Sequence, residues 1–455
     1  MKKLLPFLVL SSCFLLPPAS VSAQDNIFSF GLNHLTHGEV CSGGLPRSET
    51  ADVGDYSNFL MSRFRLNVGY RYRGLEAKGV IQNSAVWGSK NNLSLNLYEG
   101  WVRMTLPLGE GDSRPAFFAQ LGRVALTYDD ERIIGPNDFA MASKSHDILR
   151  LGFHGYGHQL HAIIAYNQNG SNVYTNTYYV DGAQPYKTMQ ALWYHYDIPV
   201  FPLGASLLFI NTGMQAGVPG NSLNAPRIEY QQLLGGYLKV APRYLDFEAS
   251  YYRQWGNTVG PTMEAAPLKA WMASAKATVK PSEYYGFKLG YDHLSGDDYV
   301  PVPLPGTMGL PRHTLYKGFT PLYGSRTQFY GIMDYFYQSA YINGFTPGLQ
   351  NAFVGAFGKP FKGLSLSATY HYLAVATTLR GLEPTLGHSV ELEVSYRFSD
   401  LVKLTLGYTQ MAGTETMQRL KQTTDSRNVR WGWFSLEISP NTQLSIPNSQ
   451  FSTHK

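Results

Sequence analysis

Residues 63–73 read Arg63-Phe64-Arg65-Leu66-Asn67-Val68-Gly69-Tyr70-Arg71-Tyr72-Arg73. The odd positions hold Arg63, Arg65, Asn67, Gly69, Arg71 and Arg73; the even positions hold only apolar and tyrosyl side chains. Side chains alternate across a strand with period two, so the segment is a strand with a cationic face and an apolar face. The pattern recurs along the chain. Leu364, Leu366, Ala368, Tyr370 and Tyr372 alternate with Ser365, Ser367, Thr369 and His371. Tyr285, Phe287, Leu289 and Tyr291 alternate with Gly286, Lys288, Gly290 and Asp292, and Val390, Leu392, Val394 and Tyr396 with Glu391, Glu393, Ser395 and Arg397.

A soluble sandwich alternates too, but its polar faces are rich in charge. Here charged residues make up 15% of the chain, against about 25% in typical soluble proteins. Gly, Ser and Thr fill the polar faces, and aromatics close the apolar faces at strand ends, as interfacial girdles do. Mean hydropathy of −0.20 speaks against a helical membrane protein, and two cysteines in 455 residues exclude a disulfide scaffold. Beyond the leader no 18-residue stretch is apolar and free of charge or proline. The nearest, 191–210, is broken by His195, Asp197, Pro199 and Pro202 and reads as two strands around a turn. The fold class is therefore all-β, a transmembrane antiparallel barrel with the apolar faces toward lipid.

Candidate strands fall near 27–39, 60–72, 74–87, 93–107, 115–127, 145–156, 158–168, 187–197, 203–214, 227–240, 243–255, 267–280, 284–293, 350–359, 363–373, 387–398, 401–411 and 428–438, eighteen in all. Their connectors alternate long (40–59, 128–144, 169–186, 294–349) and short (Arg73-Gly74, Pro242, Lys362-Gly363), as outer loops and periplasmic turns do. Residues 328–337 could form another strand, but an odd number would break that alternation, so they are placed inside loop 294–349. Phe329, Tyr330, Tyr335, Phe336 and Tyr337 make this loop aromatic, and it is expected to fold into the lumen and narrow it. In 93–107 the apolar parity slips between Leu97 and Val102; either a bulge near Tyr98 turns Glu99, Trp101 and Arg103 inward, or two strand ends are misplaced.

Met1-Lys2-Lys3, the apolar run 4–16 and Val21-Ser22-Ala23 read as a signal peptide over 1–23. The rival is a lipoprotein box ending at Cys13. The barrel is expected over 24–438 and a tail over 439–455. Removing Lys2 and Lys3 leaves a net charge of +3 with no basic block, which excludes nucleic acid as a partner. Cys41 reads as an inert loop thiol.

Gly122-Arg123, Tyr128-Asp129-Asp130-Glu131-Arg132, Gly135 and His146-Asp147 follow in an order that resembles the alginate export family. Ser295-Gly296-Asp297-Asp298, then Phe329-Tyr330-Gly331 with Asp334-Tyr335-Phe336, and the hairpin from Glu391 to Met411 are similar to later segments of it. The resemblance implies an 18-stranded outer-membrane barrel and a passive channel for anionic polysaccharide.

Alternation places Arg63, Arg65, Arg71, Arg73, Lys78, Glu99, Arg103, Arg123, Glu391, Glu393 and Arg397 on the lumen side, with Glu76, Lys288, Asp292 and Lys403. Arginines on one face stand about 6–7 Å apart, a track that engages carboxylates bidentately. The plainer reading pairs these charges across neighbouring strands. Asp129, Asp130, Arg132, His146, Asp147, Asp297 and Asp298 are read as loop anchors, with a divalent-cation site and a rim Asp/His hydrolase as the competing readings. His154, His158 and His161 could suggest zinc, but His158 and His161 have opposite parity on one strand.

The expected function is a passive or gated outer-membrane pore for anionic or saccharide-like solutes, with no catalytic residue, metal or cofactor. Outer-membrane lipid, lipopolysaccharide and the barrel-assembly machinery are the expected partners. Competing readings are a non-transporting surface scaffold or envelope-complex subunit, and a rim hydrolase using Asp130 and His146.

Overall fold

The computed structural model describes residues 26–43, 56–89, 95–110, 114–170, 174, 177–179, 185–260, 263–297, 299–300, 315–333, 346–379, 381–421 and 428–446. The strands are β1 (Asn26–Ser42), β2 (Tyr56–Tyr72), β3 (Leu75–Val86), β4 (Leu95–Pro107), β5 (Ala116–Val124), β6 (His146–Gly155), β7 (His158–Tyr166), β8 (Thr188–Asp197) and β9 (Leu203–Ala216). They continue as β10 (Arg227–Val240), β11 (Leu245–Val259), β12 (Ala265–Val279), β13 (Tyr285–Leu294), β14 (Leu349–Gly358), β15 (Leu364–Ala374), β16 (Thr385–Arg397), β17 (Val402–Gly413) and β18 (Val429–Ile438, resuming over Asn441–Ile446). Each pairs antiparallel with its neighbour in sequence, and β18 returns to β1, closing an 18-strand barrel. Closure removes every sheet edge, which is what a strand-built membrane span requires. One short helix, α1 (Glu415–Lys421), sits in the β17–β18 connector.

The long and short connectors segregate to opposite ends. Two of the short ones are two-residue hairpins with both residues left-handed: Arg73 and Gly74 (φ 45° and 81°), and Tyr156 and Gly157 (φ 56° and 82°). That geometry carries the right-handed twist of the flanking strands. Outward positions expose Leu121, Leu151, Ile164, Leu207, Leu289 and Val354, a surface suited to hydrocarbon and not to water.

Of the two readings of the parity slip in 93–107, the bulge at Tyr98 is the one found. Val80 lies opposite Glu99 while Ile81 lies opposite Leu97, so Tyr98 has no partner and both Tyr98 and Glu99 are buried on the inner face. Leu294 pairs directly with Leu349, so the wall passes from β13 to β14 without a strand from 328–337. Within the described part of that segment there is only the end of a 3-10 turn, Arg326–Gln328.

The chain end differs from expectation. Residues 441–446 do not form a free tail: they continue the wall against Asn26–Gly31. The break between the two halves of β18 falls at Ser439-Pro440, where proline has no N–H for the ladder, while its carbonyl accepts from Leu32 N–H at 3.0 Å. The proposed leader 1–23 lies outside the described residues.

The apolar core lies inside the barrel, toward the long-loop end. Leu126, Tyr128, Ile133 and Ile134 of the β5–β6 loop and Phe319, Tyr323 and Tyr330 of the β13–β14 loop pack against inward Ile148, Ile163, Met189, Leu208, Leu233 and Met272. A barrel this wide holds more space than wall side chains fill, and folded-in loops occupy the surplus.

Candidate channel interior and its constriction

Two loops fold into the barrel interior: loop 3, residues 125–145 between β5 and β6, and loop 7, residues 295–348 between β13 and β14. They are joined as a strand pair would be. Tyr323 N–H donates to the Ile133 carbonyl at 2.9 Å, and Gly135 N–H to the Tyr323 carbonyl at 3.1 Å. Ser325 Oγ donates to Glu131 Oε2 at 2.8 Å and accepts from Asn137 N–H at 2.8 Å, and Lys144 Nζ donates to the Gly324 carbonyl at 2.8 Å.

Loop 3 is latched to the wall at both ends. At its tip, Arg65 Nη2 reaches Asp138 Oδ1 at 3.0 Å and Ser143 Oγ at 2.7 Å, and Arg63 Nη1 reaches the Asp138 carbonyl at 2.9 Å. Arg65 also donates to Gln82 at 2.8 Å and lies 3.8 Å over the Tyr98 ring. Burial alone would raise the Asp138 carboxyl, but Arg65 and Arg63 hold it below its ordinary value. At the loop's start, Asp129 (φ 53°) accepts from Trp193 Nε1–H at 3.0 Å, and burial pushes its carboxyl up. Arg132 is sealed inside: it bonds Asp130 at 3.2 Å, Asp292 on β13 at 3.0 Å, Ser274 at 3.0 Å and the Tyr330 hydroxyl at 3.2 Å, with Phe329 4.0 Å from the guanidinium. Burial disfavours its charge, yet Asp292, Tyr330 and Asp130 together hold it protonated above its ordinary value.

Loop 7 hangs from Asp297, whose Oδ1 accepts Lys317 N–H at 2.7 Å and Gly318 N–H at 3.1 Å and whose Oδ2 accepts Thr346 N–H at 2.9 Å. Glu391 on β16 takes Ile332 N–H at 2.7 Å, and Gln254 on β11 donates to the Thr320 carbonyl at 2.7 Å. The described part of this loop therefore lies within the barrel. Residues 301–314 and 334–345, including the aromatics Tyr335, Phe336 and Tyr337, lie outside the described residues, as does Asp298.

The arginine track from 63–73 is thus divided. Arg63 and Arg65 face inward but are 4% and 8% exposed beneath loop 3. Arg71 pairs with Glu76 at 3.2 Å near the short-turn end. Arg73 is not a wall residue at all; it sits in the left-handed turn, over the Tyr72 ring. Lys78 pairs with Glu99 across β3 and β4. Arg123 is on the outer face: inward Gln120, Gly122 and Val124 alternate with outward Leu121 and Arg123, and Arg123 grips Asp147 of β6 through two bonds of 2.9 and 2.6 Å. Among the described residues Asp147 is engaged by Arg123 on the outer face and not by an inward loop. Glu391, Glu393 and Arg397 lie on the inner face of β16, with Arg397 opposite Lys403. Two further inward ion pairs were not foreseen, Asp246 with Lys280 and Glu248 with Lys276, and they leave the cationic excess unchanged.

His146 is buried among rings, its Nδ1 2.7 Å from the Tyr186 hydroxyl and its edge against Tyr323. Asp130 bonds Arg132 instead, so the Asp/His pair that a rim hydrolase needs is not formed. His158 points outward and stacks on Tyr196, while His154 and His161 meet inside with Nε2 atoms 2.7 Å apart. That separation is a hydrogen bond, too short for two ligands about 2.0–2.1 Å from one tetrahedral zinc. Among the described residues there is no cluster of three or more potential metal ligands.

One cationic group missed by sequence reasoning is Arg150 on β6. It donates to Gln120 at 3.0 Å and to the Tyr128 hydroxyl at 3.2 Å, and with Arg103 it shares the Phe118 ring, the two guanidinium carbons standing 5.5 and 4.6 Å from its centroid. The signal was present: Arg150 alternates with Leu149 and Leu151.

No protein-family model matches the sequence and no curated protein is similar to it, so the resemblance to the alginate export family is not confirmed. Solved structures do match in fold. OccK2 (OpdF) of Pseudomonas aeruginosa superposes with a TM-score of 0.57 at 12% identity, covering 92% of this chain and 98% of that one. OccK5 (OpdH) of the same organism gives 0.55 at 11% over 92% and 98%, and OpdK, solved with vanillate, 0.53 at 11% over 92% and 99%. This chain shares with them the closed 18-strand barrel.

Proposed function

We propose that the protein is an outer-membrane diffusion channel for small anionic solutes, carboxylates among them. The observation that carries the reading is the Arg103–Phe118–Arg150 group. Two guanidiniums lie over one phenyl ring; among the described residues Arg103 has a single distant carboxylate, Glu76 at 3.8 Å, and Arg150 has none. Like charges held together favour an anion between them, and guanidiniums take carboxylates bidentately. Other inner-wall cations are largely spent on Glu76, Glu99, Asp246 and Glu248. A barrel of the same fold was solved with vanillate, whose carboxylate is the chemistry this arginine pair suits.

The test is the reversal potential of single channels under a salt gradient. Anion-selective current is expected, reduced in selectivity by Arg103→Ala and Arg150→Ala. A folded barrel without current would overturn the channel, and unchanged selectivity in both variants would overturn the anion site.

A further inference from the structure

On the outer wall, toward the long loops, the lipid-facing apolar band ends on each strand at its first polar side chain. On β8, β9 and β10 these are Gln190, Asn211 and Gln232, which bond one another laterally at 2.7 and 2.8 Å. On β5 and β6 they are Arg123 and Asp147, which neutralise each other. On β11 and β12 they are Arg253 and Lys269, both exposed and outward, and neither side chain has a carboxylate or hydrogen-bond partner among the described residues. Arg253 lies opposite Trp271, and Lys269 is two residues from Trp271 on the same strand, so the two charges are diagonal neighbours. Below them is a ring belt: Tyr251 stacks on Trp271, whose indole in turn stacks on His293 of β13 at 4.6 Å.

Aromatic belts mark the boundary between hydrocarbon and headgroups, and an outward cation is tolerated there but costly at the midplane. A neutral boundary needs only what Arg123 has, a carboxylate in reach. Two uncompensated cations side by side on that boundary want an anion that the membrane itself supplies. We propose that Arg253, Lys269 and Trp271 form a binding site for the phosphorylated sugar headgroup of the outer-leaflet glycolipid, the cations holding a phosphate and the indole lying beneath the sugar. The inference rests on the membrane placement proposed above.

Detergent-folded protein is titrated with lipid A carrying its phosphates, with dephosphorylated lipid A and with inorganic phosphate, and bound lipid is read by native mass spectrometry. Phosphorylated lipid A should bind about tenfold more tightly than the dephosphorylated form, and Arg253→Gln with Lys269→Gln should abolish the margin. Arg430→Gln, which removes a solitary outward arginine on β18, should leave it intact. Equal binding of both lipids, an unchanged margin in the double variant, or inorganic phosphate binding as well as the lipid would each overturn the site. Should the double variant fail to fold, as judged by heat-modifiable migration, each single variant carries the same test with a partial loss expected. Single-channel current separates the two readings: the double variant should conduct like the parent, and a parent without current sinks the channel while leaving the lipid titration decisive for this site.

Discussion

Arg132 of loop 3 stands 3.0 Å from Asp292 of β13, with both side chains buried at 6% and 1% exposure. This pair ties a loop to a wall across the interior, and Phe329 and Tyr330 of loop 7 close over it. One ion pair thus fixes three separate segments of the constriction.

Removing one partner of a buried pair strands the other, at a cost of about 3–5 kcal/mol. Arg132→Ala should therefore loosen both loops together. The expected outcome is a larger and noisier single-channel conductance with the barrel still heat-modifiable. Arg132→Met combined with Asp292→Leu removes both charges and should bring the conductance part of the way back to the parent's. A conductance unchanged in Arg132→Ala would show that the loops hold without this pair.

The tip of loop 3 makes a second, opposite use of arginine. Arg65 was a natural candidate for a solute track, since it shares a face with Arg63 and Arg71. Covered by Asp138 and Ser143, it holds the loop instead. Arg65→Ala should raise conductance by freeing the tip and leave anion preference nearly unchanged. A solute-contacting arginine gives the reverse: lost selectivity at constant conductance.

Acid should act on the same latch. The folded carboxyl of Asp138 is depressed by Arg65 and Arg63, so its contribution is fully present above the ordinary carboxylate value of about 3.9 and is lost as pH falls through the lower folded value. Conductance should stay flat from neutral pH down to about 5 and rise only below the ordinary carboxylate range. Asp138→Asn should show the raised conductance at every pH. An opening step near pH 6 in the parent would assign the acid response to a different group.

Much of this architecture was legible because strand side chains alternate with a strict period of two. Strand positions follow from that period, and the exclusion of 328–337 from the even strand count. The slip at Tyr98 breaks the period and left a bulge and misplaced strand ends as alternatives, of which the bulge is found. Arg123 differs from the expected register: Phe117, Ala119 and Leu121 put the odd positions of β5 outward, and the rim accommodates an arginine there because Asp147 neutralises it. The roles of Arg63 and Arg65 were not legible, because what covers a wall residue is decided by a loop distant in sequence. The resumption of β18 after Pro440 was hidden for a local reason, since proline reads as the end of a strand.

Loop 7 offers a graded test of how much of the constriction it supplies. Asp297 is 2% exposed and accepts three backbone N–H groups, two on Oδ1 and one on Oδ2. Hydrogen bonds to a charged group contribute about 1.5–3 kcal/mol each, and buried N–H groups left without acceptors add their own cost. Asp297→Ala should release Lys317, Gly318 and Thr346 together, whereas Asp297→Asn keeps one carbonyl oxygen for Lys317 and Gly318 and loses only the Thr346 contact. Conductance should rise in the order parent, Asn, Ala, with deletion of 300–345 setting the upper limit. Equal conductance in the parent and the deletion would mean that loop 3 alone narrows the lumen. In that case the Arg132 and Arg65 variants should still open it, because their bonds to Asp292 and Asp138 fix loop 3 independently of Asp297.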